Sequence, residues 1–125
     1  MGGEVLCIPV KVNGKEVGCY AIWNLFNKYG NGDGENHLKR ACMEAFLDAL
    51  WEKGYEGVQC MTVHNPAIIE IERRSDGKTV WETNDFCFWE SEPIEEDMRK
   101  IWEQLPEEVR EVIRQIAEEG LFLVL

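Results

Sequence analysis

The sequence lacks the segments that would carry a protein to or through a membrane. No apolar run among its 125 residues reaches the length of about 20 that a bilayer-spanning helix needs. The first residues, Met1–Glu4, contain no basic region followed by an apolar run, so a signal peptide is not expected. We therefore expect a cytoplasmic protein with no membrane partner.

Basic residues are scarce relative to acidic ones. The chain has 13 Lys and Arg against 24 Asp and Glu, a formal net charge of −11 at pH 7. A field of that sign repels phosphate backbones, so nucleic acid is not an expected partner. The many Glu, Lys and Arg residues are typical of thermophile proteins. Two interpretations of the charge remain: an ordinary soluble acidic protein, or an acidic inhibitor that occupies a basic groove as a nucleic-acid mimic.

The patterns of a metal site or a disulfide framework are also missing. The chain has five cysteines, an odd number, and no two form a CxxC pattern, so neither a disulfide framework nor a cysteine-bound zinc site is predicted. With two histidines in the chain, no metal or cofactor is expected. Each cysteine lies in an apolar stretch, which indicates buried free thiols in a reducing compartment. They are Cys7, Cys19, Cys42, Cys60 and Cys87.

The stretch from Asp33 to Gly54 predicts an amphipathic helix, around which the rest of the chain is organised. Asp33 is the expected N-cap, and Gly54 is the expected left-handed residue after the C-terminus. Lys39 and Arg40 are predicted on the exposed face. Apolar residues recur at steps of three and four, which places them on one buried face. That face consists of Leu38, Ala41, Cys42, Ala45, Phe46, Ala49 and Leu50.

A β-hairpin is predicted from Val5 to Trp23. Asn13-Gly14 is typical of a type I′ turn, in which Val12 lies opposite Lys15. If the alternation of faces continues from that turn, Cys7 and Cys19 point to opposite faces and do not form a bridge. The expected core face then carries Leu6, Ile8, Val10 and Val12 on one strand and Val17, Cys19, Ala21 and Trp23 on the other.

A second group of strands is predicted from residue 57 to residue 90. A turn at Ser75–Lys78 with Gly77 in the left-handed conformation would place Ile71 opposite Trp81. The apolar residues of the last strand change face further on, which predicts a bulge near Asn84 and Asp85.

Helical residues follow from Pro93 to Gly120, and Pro106 leaves open whether they form two helices or one kinked helix. The second part has an apolar stripe of Val109, Val112, Ile113 and Ile116. The final five residues have no polar member and are predicted as a strand, a packed tail or an interface.

Together these elements predict one α+β domain of residues 1–125. The expected architecture is a two-layer sandwich. A mostly antiparallel sheet of about five or six strands, in the order ββα-βββ-αα-β, is covered by helices.

Catalytic candidates are few, and whether the protein is an enzyme is left open. Cys60 and His64 lie four residues apart on one predicted strand, about 13 Å, which is too far for a nucleophile and its base. The better candidate is an acid–base pair of His64 and Asp85, with Asn84 beside them at the predicted bulge. If this site exists, alanine at either titratable position abolishes turnover without unfolding the protein.

Binding to proteins is the function that the sequence favours. The chain has five tryptophans, an apolar C-terminus and no catalytic motif. Exposed aromatic residues are frequent anchors of protein interfaces. We therefore expect a homo-oligomer or a complex with a protein partner, with the small enzyme and the acidic inhibitor as alternatives. The expected interface residues are Trp23, Phe26, Tyr29, Leu121, Phe122 and Leu123.

Overall fold

A computed structural model of the chain describes residues 7–26, 36–60, 67–83, 100, 102–120 and 122–123. It confirms the α+β class. In the described part, no helix is long and apolar enough to cross a membrane. The elements in chain order are β1 (Cys7–Val12), β2 (Lys15–Ala21), a 3₁₀ helix (Ile22–Phe26), α1 (Asn36–Glu52), β3 (Tyr55–Cys60), β4 (Ala67–Arg73), β5 (Thr79–Glu82), α2 (Glu107–Glu119) and β6 (Phe122–Leu123).

The described strands form two sheets rather than the single sheet that the sequence predicted. One sheet has the order β2-β1-β6 and the other the order β3-β4-β5. Strand β1 pairs antiparallel with β2 and parallel with β6, which places the predicted C-terminal strand beside the first one. The second sheet is antiparallel throughout.

The first hairpin has the predicted turn but not the predicted alternation. Asn13 and Gly14 both have positive φ, 51° and 79°, as a type I′ turn requires, and Val12 lies opposite Lys15. The register then shifts, because Lys11 pairs with Glu16 but the next residue, Val10, pairs with Gly18. One extra residue on β2 forms a β-bulge, and every residue beyond a bulge moves to the other face.

This bulge overturns the predicted core face of β2. Tyr20 is buried, whereas Val17 is 62% exposed and Cys19 is also exposed. On β1, Ile8 and Val10 remain in the core as predicted. The alternation of apolar residues alone could not reveal the bulge, because β2 has apolar residues at both odd and even positions.

The second hairpin confirms the predicted pairing of Ile71 with Trp81 but not a regular register up to the turn. Glu72 lies opposite Thr79, so Val80 is an extra residue on β5 and forms a bulge there. Gly77 has a φ of 70°, and Ile71 lies opposite Trp81. The backbone N–H of Thr83 donates to the carbonyl of Ile69 at 3.0 Å, which continues the same register. The bulge predicted near Asn84 and Asp85 lies outside the described residues.

Helix α1 buries most of the predicted face but includes one unexpected residue. Cys42, Phe46, Ala49 and Leu50 are buried, and Gly54 follows the helix with a φ of 95°. Met43 and Lys39 are buried as well, at 1% and 2% exposure. The prediction that Lys39 faces solvent is therefore wrong. The predicted cap, Asp33, lies outside the described residues.

Pro106 separates two helical segments, which resolves the alternatives left open by the sequence. Residues 102–104 are helical, but Pro106 has an extended backbone with ψ of 156° and precedes the first residue of α2. The predicted stripe of α2 is buried, and Gly120 ends the helix in the left-handed conformation.

A single cluster of buried side chains contacts both sheets and both α1 and α2. It includes Ile8 of β1, Phe46 of α1, Ile71 of β4 and Ile113 of α2, all at 0% exposure. Burial of apolar area on this scale is the main favourable contribution to folding.

Candidate interaction surface

The residues predicted for catalysis, His64, Asn84 and Asp85, lie outside the described residues. Their proximity therefore stays a prediction. Among the residues that the structure describes, no group of three or more His, Cys, Asp or Glu side chains could hold a metal ion.

The predicted interface residues are placed unevenly. Phe26 is 5% exposed and packs edge-on against Trp81, with ring centroids 5.4 Å apart, so it contributes to the core rather than to an exposed surface. Trp23 belongs to the 3₁₀ helix. Phe122 and Leu123 form β6, beside Val10 and Lys11. Tyr29 and Leu121 lie outside the described residues.

Trp51 is the exposed tryptophan among those whose side chains the structure describes. Of the tryptophan side chains that the structure describes, Trp81 and Trp102 are buried at 6% and 8% exposure, while Trp51 is 47% exposed. It lies at the C-terminal end of α1. The sequence contained one indication of this exposure, because Trp51 lies outside the apolar stripe of the helix.

Arg74 holds the exposed indole in place. The guanidinium Cζ lies 3.6 Å from the centroid of the Trp51 ring, a cation–π contact. Its Nη1 donates to the backbone carbonyl of Trp51 at 2.8 Å, and its backbone N–H donates to the carbonyl of Gly54 at 3.0 Å. We call Trp51 and Arg74 the Trp51–Arg74 patch. Because both side chains are already ordered, a partner that binds the patch loses less conformational entropy.

A polar cluster adjoins the patch through Arg73, the residue before Arg74. Arg73 Nη2 donates to Glu108 Oε1 at 2.6 Å and its Nε to Oε2 at 3.2 Å, a bidentate pair that joins β4 to α2. The hydroxyl of Tyr55 donates to Glu108 Oε2 at 2.7 Å. Arg73 Nη1 also donates to Asp76 Oδ2 at 2.7 Å. The cluster therefore ties the two sheet strands to the first turn of α2.

The electrostatics of this cluster suit a structural clamp rather than acid–base catalysis. Hydrogen bonds from Arg73 and Tyr55 lower the pKa of Glu108, because they stabilise its carboxylate. Burial and the same carboxylate raise the pKa of Tyr55. Both groups are thus moved away from the neutral range in which a general acid or base works best.

An ion pair at the far end of α2 completes the corner. Lys53 Nζ lies 2.6 Å from Glu119 Oε1 and joins the residue after α1 to the last turn of α2. With the Arg73–Glu108 pair at the first turn, α2 is held at both ends. The corner that displays Trp51 is consequently fixed by polar contacts as well as by the core.

Comparisons with protein-family models, with curated proteins and with solved structures give no match for this chain.

Proposed function

We propose that the protein acts by protein binding through self-association, with Trp51 as the anchor of the contact. The observation that supports this is the exposed indole held by Arg74. Trp and Arg are the residue types most enriched among side chains that dominate binding energy. An exposed tryptophan that is ordered before binding gives a large apolar area at a low entropy cost.

The charge of the chain supports a second copy as the partner. Arg74 makes no ion pair within the described residues, although its guanidinium can bind a carboxylate in a bidentate manner. A neighbouring copy of this chain, with 24 acidic residues, can supply such a carboxylate. The net charge of −11 opposes association at long range, so the contact depends on short-range burial of Trp51.

Sedimentation velocity over a range of protein concentrations tests this proposal. We expect a reversible dimer or larger assembly, and Trp51→Ala should raise its Kd by about 30-fold or more, the effect of losing a central anchor. Val17→Ala is the matched control, because Val17 is 62% exposed on β2, which belongs to the other sheet from β4, the strand before Arg74. A protein that stays strictly monomeric at high concentration contradicts the proposal, and so does equal weakening by both variants.

Salt separates self-association from the acidic-inhibitor alternative. Screening is strong beyond about 10 Å at 0.1 M salt, so added salt weakens the repulsion between two copies of charge −11. Self-association should therefore strengthen as salt rises to moderate concentration. Occupation of a basic groove by an acidic protein should instead weaken steeply with salt.

The proposal also includes the single domain of residues 1–125 and the cytoplasmic location. A core shared by both sheets and both helices supports one domain. The described cysteines Cys7, Cys19 and Cys42 are free thiols, which is the usual state in a reducing compartment.

A further inference from the structure

The bulge in the first hairpin brings two cysteines to one face. Cys7 pairs with Ala21, and Cys19 pairs with Pro9, so the two cysteines are diagonal neighbours on adjacent strands. Paired residues of an antiparallel ladder point to the same side, and so do residues two apart on one strand. Cys7 and Cys19 therefore share a face, and the expectation from the sequence that they point apart is wrong.

The two thiols are neighbours on this face, and Cys19 is accessible. The side chain of Cys19 lies close enough to raise the pKa of the Cys7 thiol. Cys19 is exposed and Cys7 is half-buried, whereas Cys42, the other described cysteine side chain, lies in the core at 0% exposure. Accessibility is one of the properties that select which thiol reacts with an oxidant.

We propose that Cys7 and Cys19 form a redox modification site, a dithiol that a small disulfide such as oxidised glutathione converts into a cross-strand disulfide. This role is independent of the Trp51–Arg74 patch. The two cysteines lie on a face of the first sheet, whereas Trp51 lies at the end of α1.

The reaction is two successive thiol–disulfide exchanges. The thiolate of Cys19 attacks one sulfur of oxidised glutathione, forms a mixed disulfide and releases one glutathione thiolate. Cys7 then loses its proton to solvent, and its thiolate attacks the Cys19 sulfur, forming the Cys7–Cys19 bond and releasing the second glutathione. Overall, two protein thiols are oxidised to one disulfide, and one oxidised glutathione is reduced to two thiols.

The order of attack follows from the environment of each sulfur. Cys19 is the exposed thiol and meets the small disulfide first. Burial and the neighbouring Cys19 raise the pKa of Cys7 to about 11, so Cys7 is a poor nucleophile toward a molecule in solution. Its attack on Cys19 is intramolecular, and the high effective concentration offsets the small thiolate fraction.

The geometry also predicts that the bridge is labile. Diagonal neighbours on adjacent strands are typically about 7–8 Å apart, slightly beyond the usual Cα separation of a disulfide, so the bridge requires a small backbone shift and is strained. Strained and exposed disulfides are the easily reduced ones, typical of regulation rather than of permanent cross-links. A dithiol reductant should therefore open the Cys7–Cys19 bridge readily.

Mass spectrometry of the full chain after incubation with oxidised glutathione tests the proposal. Trypsin separates the cysteines, because residues 1–11 contain Cys7, residues 16–28 contain Cys19 and residues 41–53 contain Cys42. We expect the first two peptides to be joined by a disulfide, with the intact protein lighter by two hydrogens. Glutathione should not accumulate on the wild-type chain.

Two variants establish the order of steps. Cys7→Ser should keep a stable glutathione adduct on Cys19, because the resolving thiol is gone. Cys42→Ala is the matched control and should form the bridge like the wild type. A wild-type chain that accumulates the adduct on Cys19, that joins either cysteine to a different one, or that leaves both unmodified overturns the proposal.

Discussion

Lys39 offers the sharpest test of how the helix α1 packs. Its residue is 2% exposed, and burial lowers the pKa of its amine from 10.5 to about 8. A buried amine is harder to charge than one in water, because the charged form loses its hydration. Each pKa unit is worth about 1.4 kcal/mol, so the shift represents about 3 kcal/mol of cost to the charged form.

The cost predicts a specific pH dependence. Below pH 8 the amine is charged in both the folded and the unfolded chain, and the folded state bears the full cost. Between pH 8 and 10.5 the folded amine is neutral while the unfolded one still binds a proton. The free energy of unfolding due to this residue therefore rises across that window, by about 3 kcal/mol in total.

The measurement compares the wild type with Lys39→Met, which keeps the length of the side chain and removes the amine. Denaturant titrations followed by tryptophan fluorescence give the free energy of unfolding of both proteins at each pH. The difference between them should change by about 3 kcal/mol between pH 8 and 10.5, in favour of the wild type. Titration of the thiols affects both proteins and cancels.

A matched control removes an amine at an exposed position. Lys15→Met acts on the first hairpin, where Lys15 is exposed. Its difference from the wild type should stay constant over the same pH range. A constant difference for Lys39→Met as well would refute the reasoning, because it would show that the Lys39 amine is charged at no extra cost in the folded state.

Three further predictions concern the core and the clamp. Gly57→Ala should cost no more than about 1 kcal/mol in denaturant titrations, because the added Cβ would lie 2.5 Å from Leu47 Cδ2, the end of a flexible side chain that can turn away; a loss well above ~3 kcal/mol would show that Leu47 cannot move. Ile113→Ala removes a side chain of 0% exposure and should cost about 2–5 kcal/mol, and a value near zero would contradict its place in the core. Glu108→Gln should lower the Tm at neutral pH, because the ion pair with Arg73 is lost. Since its folded pKa lies below 4.5, that Tm difference should close as the pH falls through the folded pKa in acid, and a difference unchanged in acid would contradict the clamp.

The candidate surface shows how far sequence reasoning reaches for function. The sequence predicted binding through exposed aromatic residues, but the residues it indicated did not include Trp51, and one of them, Phe26, lies in the core. Trp51 was predicted to lie on the helix that is α1 and outside its apolar stripe. Its exposure, however, depends on which elements cover that end of α1. Arg74 could not be paired with Trp51 from the sequence, because the two are 23 residues apart.

Local chemistry determined what the sequence predicted correctly. Asn13-Gly14 and Gly77 set two turns through positive φ, and Pro106 and Gly120 set the limits of α2. These features depend on steric preferences of single residues, so no distant contact is needed to predict them.

Tertiary structure decided the rest, because it depends on contacts between distant residues. A one-residue bulge at Val17 reversed the faces of β2 and put Cys19 beside Cys7. The fold also buries Lys39, although its charged side chain predicted an exposed position. The division of the strands into two sheets likewise follows from how the strands pair and how the core is shared, which no local pattern in the sequence encodes.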